Sequence, residues 1–205
     1  MTSTLKPRRK PSQSRAWITS GAIQEALVRL LLEQPYETVS MREIASLAGV
    51  GLGTLYRYFP SKDSIAAVTV RGWMRKQAAA VAAAARADTP RTLQQTIDAL
   101  VAAHVQPLAA QSAEWRALLT LERRISSPES YREIYREFVA LFRDALAAAS
   151  DWPAGLDAQH TADSAFAIVH ALVIQALLVR DECPPADVLI GDVQRACSGV
   201  IAAAR

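Results

Sequence analysis

Residues 40–63, SMREIASLAGVGLGTLYRYFPSKD, decide the fold. They begin with Ser40 and Glu43 at the spacing of a capping box, in which each side chain accepts a backbone N–H at a helix start. Gly49 predicts the end of this first helix, because glycine readily adopts the left-handed conformation found there. A second short helix is predicted from about Leu52 to Phe59, and the next residue, a proline, stops it. Two short helices joined by a glycine turn form a helix-turn-helix.

The apolar residues of this stretch fall on the sides of the two helices that face each other. Small alanines among them let the helices approach closely. The inward positions are Ile44, Ala45, Ala48, Val50, Leu55 and Phe59. Ser61 is then expected to cap a long helix that runs through an alanine-rich stretch to about residue 87.

The outward positions of the second helix suit contact with DNA, because the second helix of such a motif lies in the major groove. Gly53 lets a backbone come close, and Thr54 can reach a phosphate or a thymine methyl group. Tyr56 and Tyr58 each offer a ring with a hydroxyl that can reach a phosphate, although either could instead pack against a neighbouring helix. Arg57 supplies charge, for a surface ion pair or for DNA.

In these residues the chain resembles the DNA-binding domain of the TetR family of regulators, over roughly residues 17–65. The resemblance implies an all-α fold with an N-terminal helix-turn-helix domain and a larger C-terminal domain for effector binding and dimerisation. It implies DNA contacts, mostly to phosphates, for Ser40, Gly53, Thr54, Tyr56, Tyr58 and Lys62. It assigns base reading to Leu52, Gly53 and Tyr56, with help from Arg42.

Two residues depart from the family's pattern. Gly51 stands where a capping serine or threonine is frequent, so a possible phosphate contact is absent. Leu52 faces the groove where a polar residue often reads a base. Sequence specificity is therefore expected to depend more on apolar contact and DNA shape than on hydrogen bonds.

Charge is concentrated at the N-terminal end of the 205-residue chain. The first 60 residues carry eight basic and four acidic side chains, whereas the rest is nearly balanced. Such an excess favours a polyanionic partner, although it also suits a solvated arm. Residues 1–15 are interpreted as a flexible basic arm, either tracking DNA or solvated, residues 16–62 as the helix-turn-helix domain, and residues 63–205 as the C-terminal domain.

Proline and glycine breaks divide the chain into about nine helices, with starts predicted at Thr89-Pro90 and Ser127-Pro128 and a break near Pro107. No segment alternates like a strand. The apolar stretch from Phe166 to Val179 is short and contains polar residues, so a buried helix is expected rather than a membrane span.

The chain carries no pattern that predicts catalysis. His104, His160 and His170 lack the spacing of a zinc site, and no nucleophile elbow or phosphate loop occurs. No cofactor is expected. The two cysteines, in no CxxC pair, and the lack of an apolar segment after the basic start favour the cytoplasm. An all-α enzyme and a helical ligand-binding or interaction protein without DNA regulation stay as alternatives.

The resemblance also implies a hollow C-terminal core that holds a small effector. Aromatic and polar residues on its predicted helices are candidates for the lining, although ordinary core packing is the alternative for each. Their mixture favours an apolar or aromatic effector. The candidates are Trp73, His104, Trp115, Leu119, Glu122, Tyr135, Phe138, Phe142, Phe166 and His170.

The last two helices, predicted at about residues 156–181 and 186–204, are the expected homodimer surface, because two recognition helices on a two-fold axis read a palindromic operator. Each carries an apolar stripe at helical spacing, and the alternative is that both stripes pack inside one subunit. Phe166 belongs to both the pocket set and a stripe, and the sequence does not decide between them. The stripes are Ala162, Phe166, Val169, Val173 and Ala176, and Leu189, Val193, Ala196 and Val200.

Overall fold

The computed structural model describes residues 10–86 and 89–203, apart from the side chains of residues 10–15 and 200–203. Over this part the chain is helical and contains no strand, which confirms the all-α prediction. The nine α-helices of the described chain are α1 (Lys10–Glu33), α2 (Met41–Leu47), α3 (Leu52–Tyr58), α4 (Lys62–Ala85), α5 (Leu93–Ala110), α6 (Ser112–Ile125), α7 (Pro128–Ala147), α8 (Ala158–Ile174) and α9 (Ala186–Ala203). A π-helical turn, Gln175–Val179, follows α8.

Some helix ends differ from the predicted ones. Residues 1–9 of the predicted arm lie outside the described residues, and α1 begins at Lys10, inside that arm. Helix α5 begins after Thr92, whose hydroxyl and Gln95 form a second capping box, rather than at Thr89-Pro90. Pro107 does not break α5: the Ala103 carbonyl, which the missing proline N–H leaves without its helical donor, accepts from Gln77 Nε2 at 3.5 Å instead.

The chain divides into two compact units between Thr69 and Val70, within α4. The sequence predicts the end of the helix-turn-helix domain at residue 62, which is the first residue of α4. The first two turns of α4 belong to the first unit, where Ile65, Ala66 and Thr69 have no exposed surface.

In the first unit, the helix-turn-helix packs as the periodicity predicts. Ile44 and Leu55 are fully buried, and Ala45 and Phe59 are nearly so. Helix α2 contacts both α1 and α3. The predicted inward positions at residues 48 and 50 are half-buried.

In the second unit, α5 packs on α9, α7 on α8, and α8 on α9, around one apolar core. The α8 stripe predicted for the dimer surface is buried inside this core, with no member more than 2% exposed. In the α9 stripe, Leu189 and Val193 are buried and Ala196 is half-buried, while the side chain of Val200 lies outside the described part. The α8 stripe therefore packs within one chain, as do Leu189 and Val193 of the α9 stripe, and the assignment of these residues to a dimer surface is wrong. Periodicity marks a buried face without saying what covers it.

The segment Ala158–Val179 is long and apolar enough, by length and composition, to cross a membrane, and 39% of its most apolar window is buried inside the chain. The core helix of a soluble protein passes the same test. Its buried face packs against α7 and α9, as expected for a core helix.

Candidate nucleic-acid interface and effector cavity

The start of α2 forms the predicted capping box. The backbone N–H of Ser40 donates to Glu43 Oε2 at 2.7 Å, and the N–H of Glu43 donates to Ser40 Oγ at 3.2 Å. The Ser40 hydroxyl also donates to the same carboxylate, at 2.7 Å. These hydrogen bonds, led by that from the Ser40 side chain, hold the pKa of Glu43 below its usual value. The predicted phosphate-contacting hydroxyl of Ser40 is thus already held at the helix start.

The turn between α2 and α3 requires its first glycine. Gly49 has a φ of 67°, in the left-handed region where side chains with a Cβ are strained. Its N–H donates to the Ser46 carbonyl, and that of Val50 donates to the Ala45 carbonyl at 3.0 Å. Gly51 then starts α3 without a side-chain cap, as its departure from the family's pattern implies.

Helix α3 buries one side and exposes the other. Leu55 is fully buried, whereas Tyr56 is 50% exposed. Among the other predicted DNA contacts on α3, Gly53 and Arg57 are exposed. Leu52, Thr54 and Tyr58 are half-buried. The outward face therefore contains the side chains that the sequence assigns to DNA.

Gly53 is not explained by the chain's own packing. A Cβ built on Gly53 meets no other heavy atom within 4 Å, and its φ is not in the positive region. Glycine inside a helix costs roughly 1 kcal/mol relative to alanine. Neither packing nor backbone conformation within the described residues therefore requires glycine at this position.

The two exposed arginines of the motif are available to an external partner. Arg42 and Arg57 form no ion pair with any residue that the structure describes. The Arg57 guanidinium lies 6.0 Å from the centroid of the Tyr58 ring. Such a placement fixes the arginine beside a ring that is itself a predicted phosphate contact.

Lys62 has a role that the sequence does not reveal. Its ammonium donates to the carbonyls of Tyr36 at 2.6 Å, Glu37 at 3.3 Å and Val39 at 2.7 Å. It also lies 4.3 Å from the centroid of the Tyr36 ring, and the Tyr36 hydroxyl donates to Asp63 at 2.5 Å. The start of α4 thereby fixes the loop between α1 and α2. The partners of Lys62 are 23 to 26 residues away in sequence, so no local pattern predicts them.

The second unit contains a cavity of about 340 Å³ between α4, α5, α6, α7 and α8. Eight of the ten predicted pocket residues line it. They are His104, Trp115, Leu119, Glu122, Tyr135, Phe138, Phe166 and His170. Phe166, which the sequence left between pocket and dimer stripe, faces the cavity and stacks on Phe138 with ring centroids 5.3 Å apart.

Two predicted pocket residues do not line the cavity. Phe142 is fully buried one helical turn beyond Phe138, with its ring 5.4 Å from that of Phe166, so it supports the cavity wall from the core side. Trp73 packs edge-on against Trp115, at 5.3 Å between centroids, behind the lining. Spacing alone does not separate the inner layer of aromatic residues from the layer behind it.

Tyr131 is a lining residue that the sequence interpretation missed. It precedes Tyr135 and Phe138 on one face of α7, at i, i+4 and i+7, so the same periodicity points to it. Its hydroxyl is 2.8 Å from His170 Nε2. Burial lowers the pKa of His170, and burial followed by the charge of Glu122 raises the pKa of Tyr131. The other lining residues that the prediction missed include Met74, Gln77, Leu108, Arg123, Ser126, Ser127, Pro128, Ile134, Val173 and Ile174.

The deep end of the cavity holds two buried nitrogens that lack a hydrogen-bond partner in the described part of the chain. They are His104 Nδ1 and Trp115 Nε1, on residues that are 5% and 3% exposed. A buried polar group without a partner costs roughly 1–3 kcal/mol. A bound molecule that pairs with these nitrogens would recover part of that cost.

The imidazole of His104 predicts a pH dependence of stability. Burial, and next the charge of His170, lower the pKa of His104 to about 3, whereas an unfolded histidine titrates near about 6.5. Between these two pKa values only the unfolded chain takes up the proton. The free energy of unfolding therefore decreases as the pH is lowered from about 6.5 towards 3, by up to about 1.4 kcal/mol per pH unit. We expect His104→Leu to flatten the stability profile from urea unfolding below about pH 6.5.

Exposed His160 provides the matched control, because His160→Leu should keep the wild-type slope. A smaller slope should persist in His104→Leu, since burial also lowers the pKa of His170. Parallel profiles for wild type and His104→Leu would contradict the burial of a neutral imidazole.

No group of three or more histidine, cysteine, aspartate or glutamate residues within 10–86 and 89–203 is arranged to hold a metal ion. Cys183 and Cys197 are free thiols, and burial raises the pKa of Cys197 to about 11. The high pKa keeps this thiol protonated and unreactive at neutral pH.

Sequence comparison with known proteins gives short matches, whereas structural comparison covers most of the chain. Residues 23–68 match the family described as "Bacterial regulatory proteins, tetR family". Over 40 residues the chain is 52% identical to the HTH-type transcriptional repressor KstR of Rhodococcus jostii (strain RHA1), a match that covers 20% of this chain and 19% of KstR. The curated relative is therefore matched over about a fifth of its length.

Solved structures match nearly the whole chain. The fatty acid degradation regulator FadR from Bacillus halodurans has a TM-score of 0.73 and 21% identity, over 94% of this chain and 97% of that one. FadR from Bacillus subtilis, solved in complex with stearoyl-CoA, has a TM-score of 0.70 and 21% identity, over 86% and 96%. A tetR-family regulatory protein from Rhodococcus RHA1 has a TM-score of 0.68 and 21% identity, over 89% and 96%. These likenesses show the fold.

The first unit contains a helix-turn-helix, and residues 23–68 match the DNA-binding segment of the tetR family of bacterial regulatory proteins. The chain as a whole has the fold of the TetR-family regulators among these solved structures.

Proposed function

We propose that this protein is a ligand-responsive transcriptional repressor that binds a palindromic operator as a homodimer in the cytoplasm and is released by a small apolar or aromatic effector. The outward face of α3 carries the proposal, because a Cβ on Gly53 would meet no heavy atom within 4 Å and Tyr56 beside it is 50% exposed. The repressor named among the relatives and the ligand-bound FadR neighbour support it.

On DNA, Ser40, Thr54, Tyr58 and Lys62 contact phosphates, and Leu52, Gly53 and Tyr56 face the bases. The backbone at Gly53 comes close to the groove, and the Tyr56 ring supplies apolar contact. Arg42 and Arg57 add charge without having to break an ion pair to any described residue. For Lys62 a phosphate contact requires one of its three carbonyl bonds to be shared or exchanged.

The effector occupies the cavity of the second unit. A volume of about 340 Å³ is at the lower end of the ligand pockets of about 300–1,000 Å³ found in proteins. The lining is mostly aromatic and aliphatic, with a few polar groups to fix orientation, as in other small-molecule sites. An effector that binds one conformation better than another shifts DNA affinity by that difference.

The dimer uses the outward face of the last two helices, since the inward stripes serve the core. On α8 and the following π-helical turn, a second row of partly or fully exposed residues recurs at helical spacing. The row is Ser164, Ile168, Ala171, Leu172, Gln175 and Val179. Two such helices from each subunit make a four-helix bundle.

Charge in that row is expected to separate the subunits. Ala171 is exposed in the single chain, so Ala171→Arg should leave its fold unchanged and convert the dimer to a monomer. Light scattering coupled to gel filtration measures the mass, and Ala154→Arg, on an exposed loop residue, is the control. A dimeric Ala171→Arg protein would place the interface elsewhere.

Binding to DNA from the chain's own upstream region tests the function directly. We expect fluorescence anisotropy to show tight binding of that DNA, weaker binding of unrelated DNA, and an affinity that falls steeply with salt as phosphate counterions are released. Equal affinity for both DNAs at all salt concentrations, or no binding at low salt, would refute a sequence-specific repressor.

A further inference from the structure

The cavity contains a buried carboxylate that the chain itself leaves unpaired. Glu122 is 5% exposed and lines the cavity. Its carbonyl accepts the N–H of Ser126, but its carboxylate forms no hydrogen bond or ion pair with any residue in the described ranges 10–86 and 89–203. A largely buried charge in a protein is nearly always paired, so a charged partner from outside the chain is favoured here.

The position of Glu122 on α6 directs it to the same space as the aromatic lining. Trp115, Leu119 and Glu122 follow one another at i, i+4 and i+7, on one face of the helix. Seven residues separate the first from the last by about 10 Å along the axis. Tyr131 lines the same cavity, and burial followed by the charge of Glu122 raises its pKa.

The cavity combines this carboxylate with several aromatic rings. Tyr131 and Tyr135 lie with centroids 6.3 Å apart on α7, and Trp115 also lines the cavity. Arg123 lines it too; this side chain is exposed, forms no ion pair within the described chain, and its charge lowers the pKa values of Tyr131 and His170. A ligand cation placed over aromatic faces gains up to about 2 kcal/mol when it is desolvated.

We propose that the effector is a ring-containing lipophilic amine, bound as the ammonium ion, with its charge on Glu122 and its rings among the aromatic side chains. The proposal rests on the effector cavity of the proposed function and names the ligand class for it. The ammonium supplies the charge and the N–H donors that the carboxylate lacks. An anionic ligand held by Arg123 at the mouth is the competing class.

Three naphthalene probes of nearly equal shape separate these classes: naphthylmethylammonium, naphthylmethanol and naphthoate. We expect isothermal titration calorimetry on the full chain to show the ammonium binding at least about tenfold more tightly than either of the others, a difference of about 1.4 kcal/mol. Tightest binding of naphthoate, equal binding of all three, or no binding of any probe would overturn the proposal.

Glu122→Gln keeps the shape of the side chain and removes its charge. It should bring the ammonium to within about threefold of the alcohol, while the alcohol itself changes little. Glu133→Gln is the matched control, because Glu133 is exposed on α7 and does not line the cavity. An ammonium preference that survives in Glu122→Gln would overturn the proposal.

Circular dichroism and a melting curve check that each variant is folded. Glu122→Met, which replaces the carboxylate with an unbranched apolar side chain, is the second variant and should favour the alcohol over the ammonium. Adding the ammonium to the complex with upstream DNA then separates the two proposals. Binding of the ammonium without any effect on DNA affinity would support the ligand class and contradict its role as an effector.

Discussion

Tyr56→Ala is expected to weaken operator binding by about tenfold or more, because truncating a tyrosine that dominates an interface commonly costs about 2 kcal/mol or more. Tyr56 is half-exposed, so its removal should leave the urea unfolding curve nearly unchanged. The measurement is the anisotropy titration with upstream DNA at a fixed salt concentration.

Val68→Ala is the control for this experiment. Val68 is 44% exposed, belongs to the same unit and lies on α4 instead of α3. It should bind the operator as the wild type does. Equal losses in both variants would mean that the measured effect reports general surface change rather than contact by α3.

Phe142→Ala is expected to destabilise the chain by about 3–5 kcal/mol, the usual cost of removing a buried phenylalanine. The ring has no exposed surface and lies in the core behind the cavity lining, against Phe166. Urea unfolding followed by circular dichroism measures the change in the free energy of unfolding.

Tyr131→Ala provides the comparison: Tyr131 is 40% exposed at the cavity, so its removal should cost less than that of Phe142, although it also removes the hydrogen bond to His170. A cost of about 1 kcal/mol or less for Phe142→Ala would contradict its place in the packed core.

Local signals made the helix-turn-helix predictable. The capping box depends on residues three apart, and the left-handed glycine and the pair Leu55 and Phe59 depend on equally short spacings. The structure places each as expected. Lys62 shows the limit, because its carbonyl partners come from a distant loop.

Helical periodicity identified buried faces in the second unit but not what they contact. The α8 stripe has the spacing of an interface, and the chain covers it with its own helices. Phe138 and Phe142 differ by one turn of α7, and only the first reaches the cavity. The same spacing could have identified Tyr131, which the prediction missed, but not its pairing with His170, which lies 39 residues further along the chain on α8.

The open space around Gly53 has a consequence for attempts to engineer this protein. A library selected only for heat resistance is expected to fill position 53 with alanine, since no described residue of the chain lies close enough to oppose a methyl group and alanine stabilises a helix by roughly 1 kcal/mol relative to glycine. The same library selected for promoter silencing in cells should retain the glycine. Opposite enrichment of alanine and glycine at position 53 in the two selections would indicate that the glycine lowers the stability of the chain and favours binding to DNA.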